Sequence, residues 1–351
     1  MNSSFATKFG RVGDGEKTYI IAEMSANHAG SLTRALEIIH AAKEAGADCL
    51  KIQTYTPDTI TLNCDNSFFR IDDGTWKGEN LYSLYGKAFT PWEWQGRLKE
   101  EADKVGLDFL STPFDATSVD FLESIGVDFY KIASFELVDI PLIKYVAGKG
   151  KPIIMSTGMG SLPEIEEAVE TIRKEGNENL ALLKCSSAYP ANPAEMNLSA
   201  IPELKEKFGT IVGLSDHSLG HLSSVMSVTL GGRIIEKHFC LSRNIDNPDV
   251  SFSMTPSEFA SMVKEVRNAE AALGTAHFGP MEMEMSNYRF RKSIFVAKDI
   301  AKGEVFTPEN VRVVRPSDGL HPRYYEAVLG KKATRDLKFG SPLAQSDVEN
   351  L

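Results

Sequence analysis

His217 and His238 are the residues of this sequence best suited to hold a metal ion. Each closes a short apolar run, after Ser215-Asp216 and after Glu236-Lys237. Imidazole is a good ligand for Mn, Fe or Zn, and histidines from neighbouring strands can share one ion. With only two protein ligands such an ion keeps open positions, which fits a Lewis acid polarising a carbonyl rather than a structural site. The residues alone leave a second role open: structural histidines hydrogen-bonded to Asp216 or Glu236.

Other chemistry-bearing residues also follow apolar runs. They are Glu23; Lys51 and Gln53; Ser111 and Thr112; Lys131 and Ser134; Ser156 and Thr157; and Cys185, Ser186, Ser187 and Tyr189. Two lysines among many hydroxyls make a cradle for a phosphorylated or carboxylated substrate. Lys51 and Gln53 alternate along a strand and so share a face, which can be the barrel axis. A carboxylate such as Glu23 at the end of an apolar strand is expensive unless used or paired. A salt bridge to a barrel lysine and an acid/base contact with substrate are both open for it.

The elements that would position these residues recur eight times. The apolar runs are Tyr19–Ala22, Ala47–Ile52, Leu107–Leu110, Val127–Ile132, Pro152–Met155, Leu180–Leu183, Thr210–Leu214 and Arg233–Ile235. Amphipathic stretches separate most of them, such as Ser31–Ala45 and Leu162–Lys174, the latter with acidic residues in its first turn. Continuous apolar strands alternating with helices imply a parallel sheet covered on both faces, and eight favour a closed α/β (β/α)8 TIM barrel. In such barrels the chemistry sits at the C-terminal strand ends. No GxGxxG fingerprint follows the first run, which weakens a dinucleotide-binding role.

The connection from Tyr55 to Thr90 is long and holds Phe68, Phe69, Arg70, Trp76, Tyr82 and Tyr85. Loops this long are usually functional or disordered, and the aromatics argue against disorder. A lid over the barrel mouth and a packed excursion are both open. Near Gly274 the composition turns to glycine, methionine and glutamate, as in a linker; a small, mostly β module with turn signals follows. The expected domains are residues 1–275, a linker 276–289 and residues 290–351.

The 351 residues carry 42% hydrophobic and 25% charged side chains, as an ordinary globular protein does. A barrel of roughly 250 residues plus a small module accounts for that length. The net charge of −10 argues against nucleic-acid or membrane-surface partners. No apolar run is long enough for a membrane helix, and Met1–Gly15 is too polar for a secretory signal. Cys49, Cys64, Cys185 and Cys240 are scattered, as free thiols in a reducing cytoplasm would be. A cytoplasmic location is expected.

Taken in order, these motifs resemble the sialic acid synthase family over essentially the whole chain. They are Ala22-Glu23-Met24-Ser25-Ala26-Asn27-His28, Lys51-Ile52-Gln53, Ser111-Thr112-Pro113-Phe114, Lys131-Ile132-Ala133-Ser134, Ser156-Thr157-Gly158-Met159, Cys185 to Pro190, Ser215-Asp216-His217 and Glu236-Lys237-His238. The last segment resembles the family's antifreeze-like (SAF) domain, with Phe290-Arg291-Lys292-Ser293 at its start. The resemblance implies a TIM barrel joined to that domain in a domain-swapped homodimer. It implies condensation of phosphoenolpyruvate with an N-acetylated amino sugar, with C–O cleavage and phosphate release. It implies a divalent cation, Mn²⁺ first and Mg²⁺ or Co²⁺ as alternatives, on His217 and His238, with these and Glu23 catalytic. Phosphoenolpyruvate would then meet Lys51, Thr112, Lys131, Ser134, Ser156, Ser187, Ser215 and Lys292. The sugar would meet Glu23, Gln53, Tyr189, Asp249, Phe290 and Arg315, the last from the partner subunit.

Within the family, Met24-Ser25-Ala26, Ser187, Pro248 to Ser253 and Arg315-Pro316-Ser317-Asp318-Gly319 incline toward the pseudaminic acid branch. Its acceptor is a 6-deoxy sugar, for which Met24 and Phe252 would supply apolar surroundings. Asn247 stands where glycine is expected, which implies a differently shaped loop before Asp249. N-acetylneuraminate or legionaminate synthesis, a synthase acting on a phosphorylated aldehyde, and a non-catalytic sugar-binding barrel are the alternatives.

Overall fold

The computed structural model describes residues 1–351, which divide into two compact units, Met1–Gly274 and Thr275–Leu351. The first unit opens with a hairpin of β1 (Ser4–Ala6) and β2 (Arg11–Gly13). Eight parallel strands follow: β3 (Tyr19–Glu23), β4 (Cys49–Thr54), β5 (Asp108–Pro113), β6 (Tyr130–Ile132), β7 (Ile153–Ser156), β8 (Leu180–Cys185), β9 (Ile211–Asp216) and β10 (Ile234–His238). They close in sequence order, β10 pairing with β3, into the expected (β/α)8 barrel.

All the barrel strands but β6 run further toward their C-termini than the apolar runs do. Glu23, Ser156, Asp216 and His238 are themselves strand residues. Hydropathy falls where the hydrogen-bonded ladder does not, because these polar residues extend the same backbone pairing. Helices pack outside with ordinary start signals. Leu162–Lys174 begins with a capping box in which the Ser161 N–H donates to Glu164 at 2.7 Å.

Alternation along each strand produces two cores. Ile20, Leu50, Ile52 and Ile132 face outward, into the layer shared with the helices. Tyr19, Ile21, Cys49, Leu110, Phe129, Ile154, Ala181, Leu183, Ile211 and Ile234 form a separate cluster, the barrel interior. Phe5 and Val12 of the hairpin join that inner cluster. The hairpin thus stoppers the barrel, and burying each of its apolar side chains stabilises by roughly 1.5–3 kcal/mol. Strands of three residues carry no readable period, so sequence analysis missed the hairpin.

The inward rows begin apolar and end polar. Ile21 leads to Glu23, Cys49 to Lys51 and Gln53, Leu110 to Thr112, Phe129 to Lys131, Ile154 to Ser156, and Ile234 to Glu236 and His238. Apolar burial at one end therefore sets the direction of every functional side chain at the other. Met24 corrects an expectation: one residue past Glu23 it takes the opposite face, fully buried in the barrel–helix layer, away from the mouth.

The long β4–β5 connection holds short helices, Pro57–Ile60 and Leu81–Ala88. The second unit has its own core around Ile294, Val296, Phe306 and Leu343, built on β11 (Ser293–Val296) antiparallel to β12 (Val311–Val314). The segment before it, 275–291, is exposed throughout and includes helical turns at Glu282–Glu284 and Met285–Tyr288. No helix is long and apolar enough to cross a membrane.

Candidate active site

The C-terminal ends of β3, β4, β6 and β10 carry four buried charges in one network. Lys51 Nζ lies 2.8 Å from Glu23 and 3.1 Å from Glu236. Lys131 Nζ lies 3.8 Å from the other oxygen of Glu236 and donates to Ser156 Oγ at 2.6 Å. Gln53 donates to Glu23 at 2.9 Å and to Ser25 at 2.9 Å. The strand register explains this closeness, because β3 pairs Glu23 with Lys51 on one side and with His238 on the other.

The environment drives these acids apart. Burial raises Glu23 above the ordinary carboxylate range, against the pull of Lys51. Burial also opposes charge on Glu236, but Lys131 and Lys51 outweigh it and hold that carboxyl low. Burial lowers Lys131, whereas Glu23 and Glu236 overcome burial at Lys51 and hold its ammonium protonated. Two carboxyls kept apart in this way are suited to different tasks, Glu23 as the group that exchanges a proton and Glu236 as the fixed counter-charge.

Beside the network lies a cradle at the ends of β6–β8. Ser134 Oγ accepts the Gly158 N–H at 3.1 Å. A Cβ on Gly158 would fall 2.4 Å from Ser187 Oγ and 2.6 Å from Ser134 Oγ, so only glycine lets the backbone approach these hydroxyls. Ser187 Oγ and Thr112 Oγ1 are buried without a hydrogen-bond partner. Unpaired buried hydroxyls are costly, and a ligand oxygen at each would satisfy it. Ser215, also buried, is paired in register with Glu236. Ser111 is not part of this group, since its hydroxyl contacts Thr54 at 2.6 Å.

The histidines stand with ring centroids 5.4 Å apart. His217 Nδ1 contacts the Ser186 carbonyl at 2.8 Å. A carbonyl only accepts, so Nδ1 carries a hydrogen and Nε2 is the nitrogen that could serve as a ligand when the ring is neutral. Burial opposes a second proton on this ring, but Cys185, the Ser186 carbonyl and Glu236 outweigh burial and raise the ring's affinity for one. Burial and His217 push His238 well below the usual imidazole range, and its Nδ1 has no hydrogen-bond partner. Asp216 is not a partner of His217. It accepts from Ser218 and Ser224 and pairs with Lys237 at 3.0 Å on the outward face. Glu236 is committed to the lysines, so neither structural pairing considered for the histidines forms. No group of three His, Cys, Asp or Glu side chains converges on one point, leaving a two-imidazole donor set with open positions.

Tyr189 leans on His217 at 4.2 Å, and Phe252 lies 5.1 Å from Tyr189 and 5.0 Å from His238. Asp249 is buried, accepts the Ala26 N–H at 3.1 Å and stands 3.9 Å from His238. Asn247 shapes this loop with its side chain, whose Oδ1 accepts the Asp249 N–H at 3.0 Å.

The NeuB family profile matches residues 38–278 and the SAF domain profile matches 291–349. The chain belongs to the NeuB family. It is 48% identical over 340 residues to the pseudaminic acid synthase of Campylobacter jejuni subsp. jejuni, covering 97% of this chain and 99% of that one. It is 35% identical over 336 residues to the N,N'-diacetyllegionaminic acid synthase of Legionella pneumophila subsp. pneumophila, covering 94% of each. The crystal structure of N-acetylneuraminic acid synthetase from Leptospira borgpetersenii serovar Hardjo-bovis, in complex with citrate, superposes with a TM-score of 0.72 at 32% identity, covering 81% of this chain and 94% of that one.

In this NeuB-family chain the first unit brings together Glu23, Lys51, Gln53, Thr112, Lys131, Ser134, Ser156, Ser187, Tyr189, Ser215, His217, His238 and Asp249. Phe290, Lys292 and Arg315 belong to the second unit, where all three are exposed. Lys292 lines a cavity of about 270 Å³ with Ser293, Ser317 and His321.

Three groups at the site had been assigned no role in it. Glu236 ties both lysines together, and its spacing of two from His238 was the readable signal. Cys185 approaches His217 Nδ1 at 3.8 Å; burial raises its thiol, but His217 and Lys131 bring it down to about 7. Burial pushes Glu136 up to about 7 against Lys131, and its Oε2 has no hydrogen-bond partner. A lone acidic residue in an irregular turn gave no sequence signal.

Proposed function

We propose that this chain is a pseudaminic acid synthase-type enzyme. It joins phosphoenolpyruvate, 2,4-diacetamido-2,4,6-trideoxy-altrose and water into a nonulosonic acid, releasing phosphate. The observation that carries this is the Glu23–Lys51–Glu236–Lys131 network set between an unsatisfied hydroxyl cradle and the His217–His238 imidazole pair. Such a floor binds an anion on one side and activates a carbonyl on the other. The likeness to the Campylobacter enzyme over nearly the whole chain supports the choice of acceptor.

Lys51 and Lys131 hold the carboxylate and phosphate of phosphoenolpyruvate, with Thr112, Ser134, Ser156, Ser187, Ser215 and Lys292 completing its hydrogen bonds. Gln53, Tyr189, Asp249, Phe290 and Arg315 orient the open-chain sugar so that its C1 faces C3 of phosphoenolpyruvate. A divalent cation on His217 and His238, Mn²⁺ by preference, would supply Lewis-acid polarisation of the aldehyde oxygen. As the C3–C1 bond forms, C2 becomes electron-poor. Glu23 then takes a proton from the water that adds to C2 and passes it to the alkoxide formed at the sugar C1. The tetrahedral adduct collapses to the C2 ketone as the C2–O bond to the phosphate breaks, and phosphate leaves with that electron pair and the C2 hydroxyl proton.

The organisation that serves this chemistry is a catalytic barrel in 1–275, a linker in 276–289 and an antifreeze-like domain in 290–351. That domain caps the barrel of a partner copy in a homodimer, in the cytoplasm. The test is phosphate release from phosphoenolpyruvate with Mn²⁺ and a panel of acceptors. The altrose sugar should turn over at least tenfold faster than N-acetylmannosamine or the 2,4-diacetamido-6-deoxymannose isomer. Equal or greater turnover with either of the others would overturn the assignment.

A further inference from the structure

We propose that Trp76 is a positioning residue for the acceptor sugar, clamping the Tyr189 and Asp249 loops together across the barrel mouth. The proposal rests on the assignment of the site above. Trp76 lies in the long β4–β5 connection, far in sequence from both loops. Its indole N–H donates to the Pro248 carbonyl at 3.0 Å, one residue before Asp249. Its ring lies 5.6 Å from that of Tyr189. The preceding residue, Thr75, donates its hydroxyl to the Tyr189 carbonyl. Two consecutive residues thus hold both loops that border the histidine pair.

The contact is not a by-product of a packed core. A cavity of about 660 Å³ lies against it, lined by Trp76, Lys77, Leu84, Asn247 and Pro248 among others. Trp76 itself is only partly buried. The Tyr189–Phe252 ring contact also links the two loops, but only Trp76 joins them by both a hydrogen bond and a ring contact, so its indole sets the registration of Tyr189 against Asp249. The lysines on the phosphate side are fixed separately, by Glu23, Glu236 and Ser156. The clamp therefore acts on acceptor binding and leaves phosphoenolpyruvate binding alone.

Calorimetric titration tests this with wild type, Trp76→Phe and Trp76→Leu, using Mn²⁺ with either the 2,4-diacetamido-2,4,6-trideoxy-altrose sugar or phosphoenolpyruvate alone. Trp76→Phe keeps a ring and loses the donor, so it should weaken sugar binding about fivefold. Trp76→Leu loses both and should weaken it by more than about tenfold. Phosphoenolpyruvate should bind all three proteins equally. Unchanged sugar affinity in Trp76→Phe overturns the clamp, as does an equal loss for both ligands. Should Trp76→Leu fail to fold by circular dichroism, Trp76→Phe decides alone. A wild type that binds the sugar yet releases no phosphate overturns the assigned reaction, and the variants still judge the clamp. A wild type that binds no sugar overturns both.

Discussion

Glu23 and Lys51 meet at 2.8 Å across the first two barrel strands, while Gln53 donates to the other oxygen of the same carboxylate at 2.9 Å. The pair is fully inside the barrel, so Glu23 is both a counter-charge to Lys51 and a carboxylate whose affinity for a proton burial raises. Glu23→Gln keeps the shape and removes the proton exchange. It should lower kcat by about 10²–10⁴-fold while folding persists. Steady-state phosphate release with saturating substrates checks this; a loss under threefold would remove Glu23 from the chemistry.

Gly158 gives a prediction on the phosphate side. Its missing Cβ is the space that Ser134 and Ser187 need. Gly158→Ala should displace the cradle and raise the KM for phosphoenolpyruvate by about ten- to a hundredfold, with the sugar KM little changed. Equal effects on both substrates would mean that the cradle serves neither end selectively.

The histidines make a metal prediction. His238→Ala should abolish stoichiometric Mn²⁺ binding in equilibrium dialysis and nearly all turnover, with the melting temperature little changed. Wild-type enzyme treated with excess chelator should lose activity and regain it on adding Mn²⁺. Full activity under chelation would exclude this role.

Glu136 predicts a pH dependence of stability. Burial lifts it to about 7 from a reference of 4.5, so between these values the folded protein binds more protons than the unfolded chain. Stability is then highest below about pH 4.5 as far as this group is concerned, and falls as pH rises toward 7. The loss amounts to about 3 kcal/mol at most. Denaturant unfolding across that window should show this slope in wild type and lose it in Glu136→Gln. Identical slopes would place the titration elsewhere.

The barrel was legible because parallel strands buried on both faces read as apolar runs. Their ends were not, since Glu23, Ser156 and His238 continue the ladder beyond the last apolar residue. Lys51, Lys131 and the two histidines were visible as polar residues where hydropathy breaks. Glu236 was passed over because its value lies in two partners, Lys51 and Lys131, from other strands. The Trp76 contacts were invisible for the same reason: long-range pairing leaves no local period. Met24 shows the reverse case, a residue adjacent to a functional one and facing the opposite way.

The two lysines and two glutamates have one more consequence. With all four groups ionised their formal charges cancel. An incoming trianion upsets that balance, and the added negative charge beside Glu23 raises its affinity for the proton of the attacking water. Substrate arrival and strengthening of the base then become a single event, and the catalyst is armed only when there is something to act on.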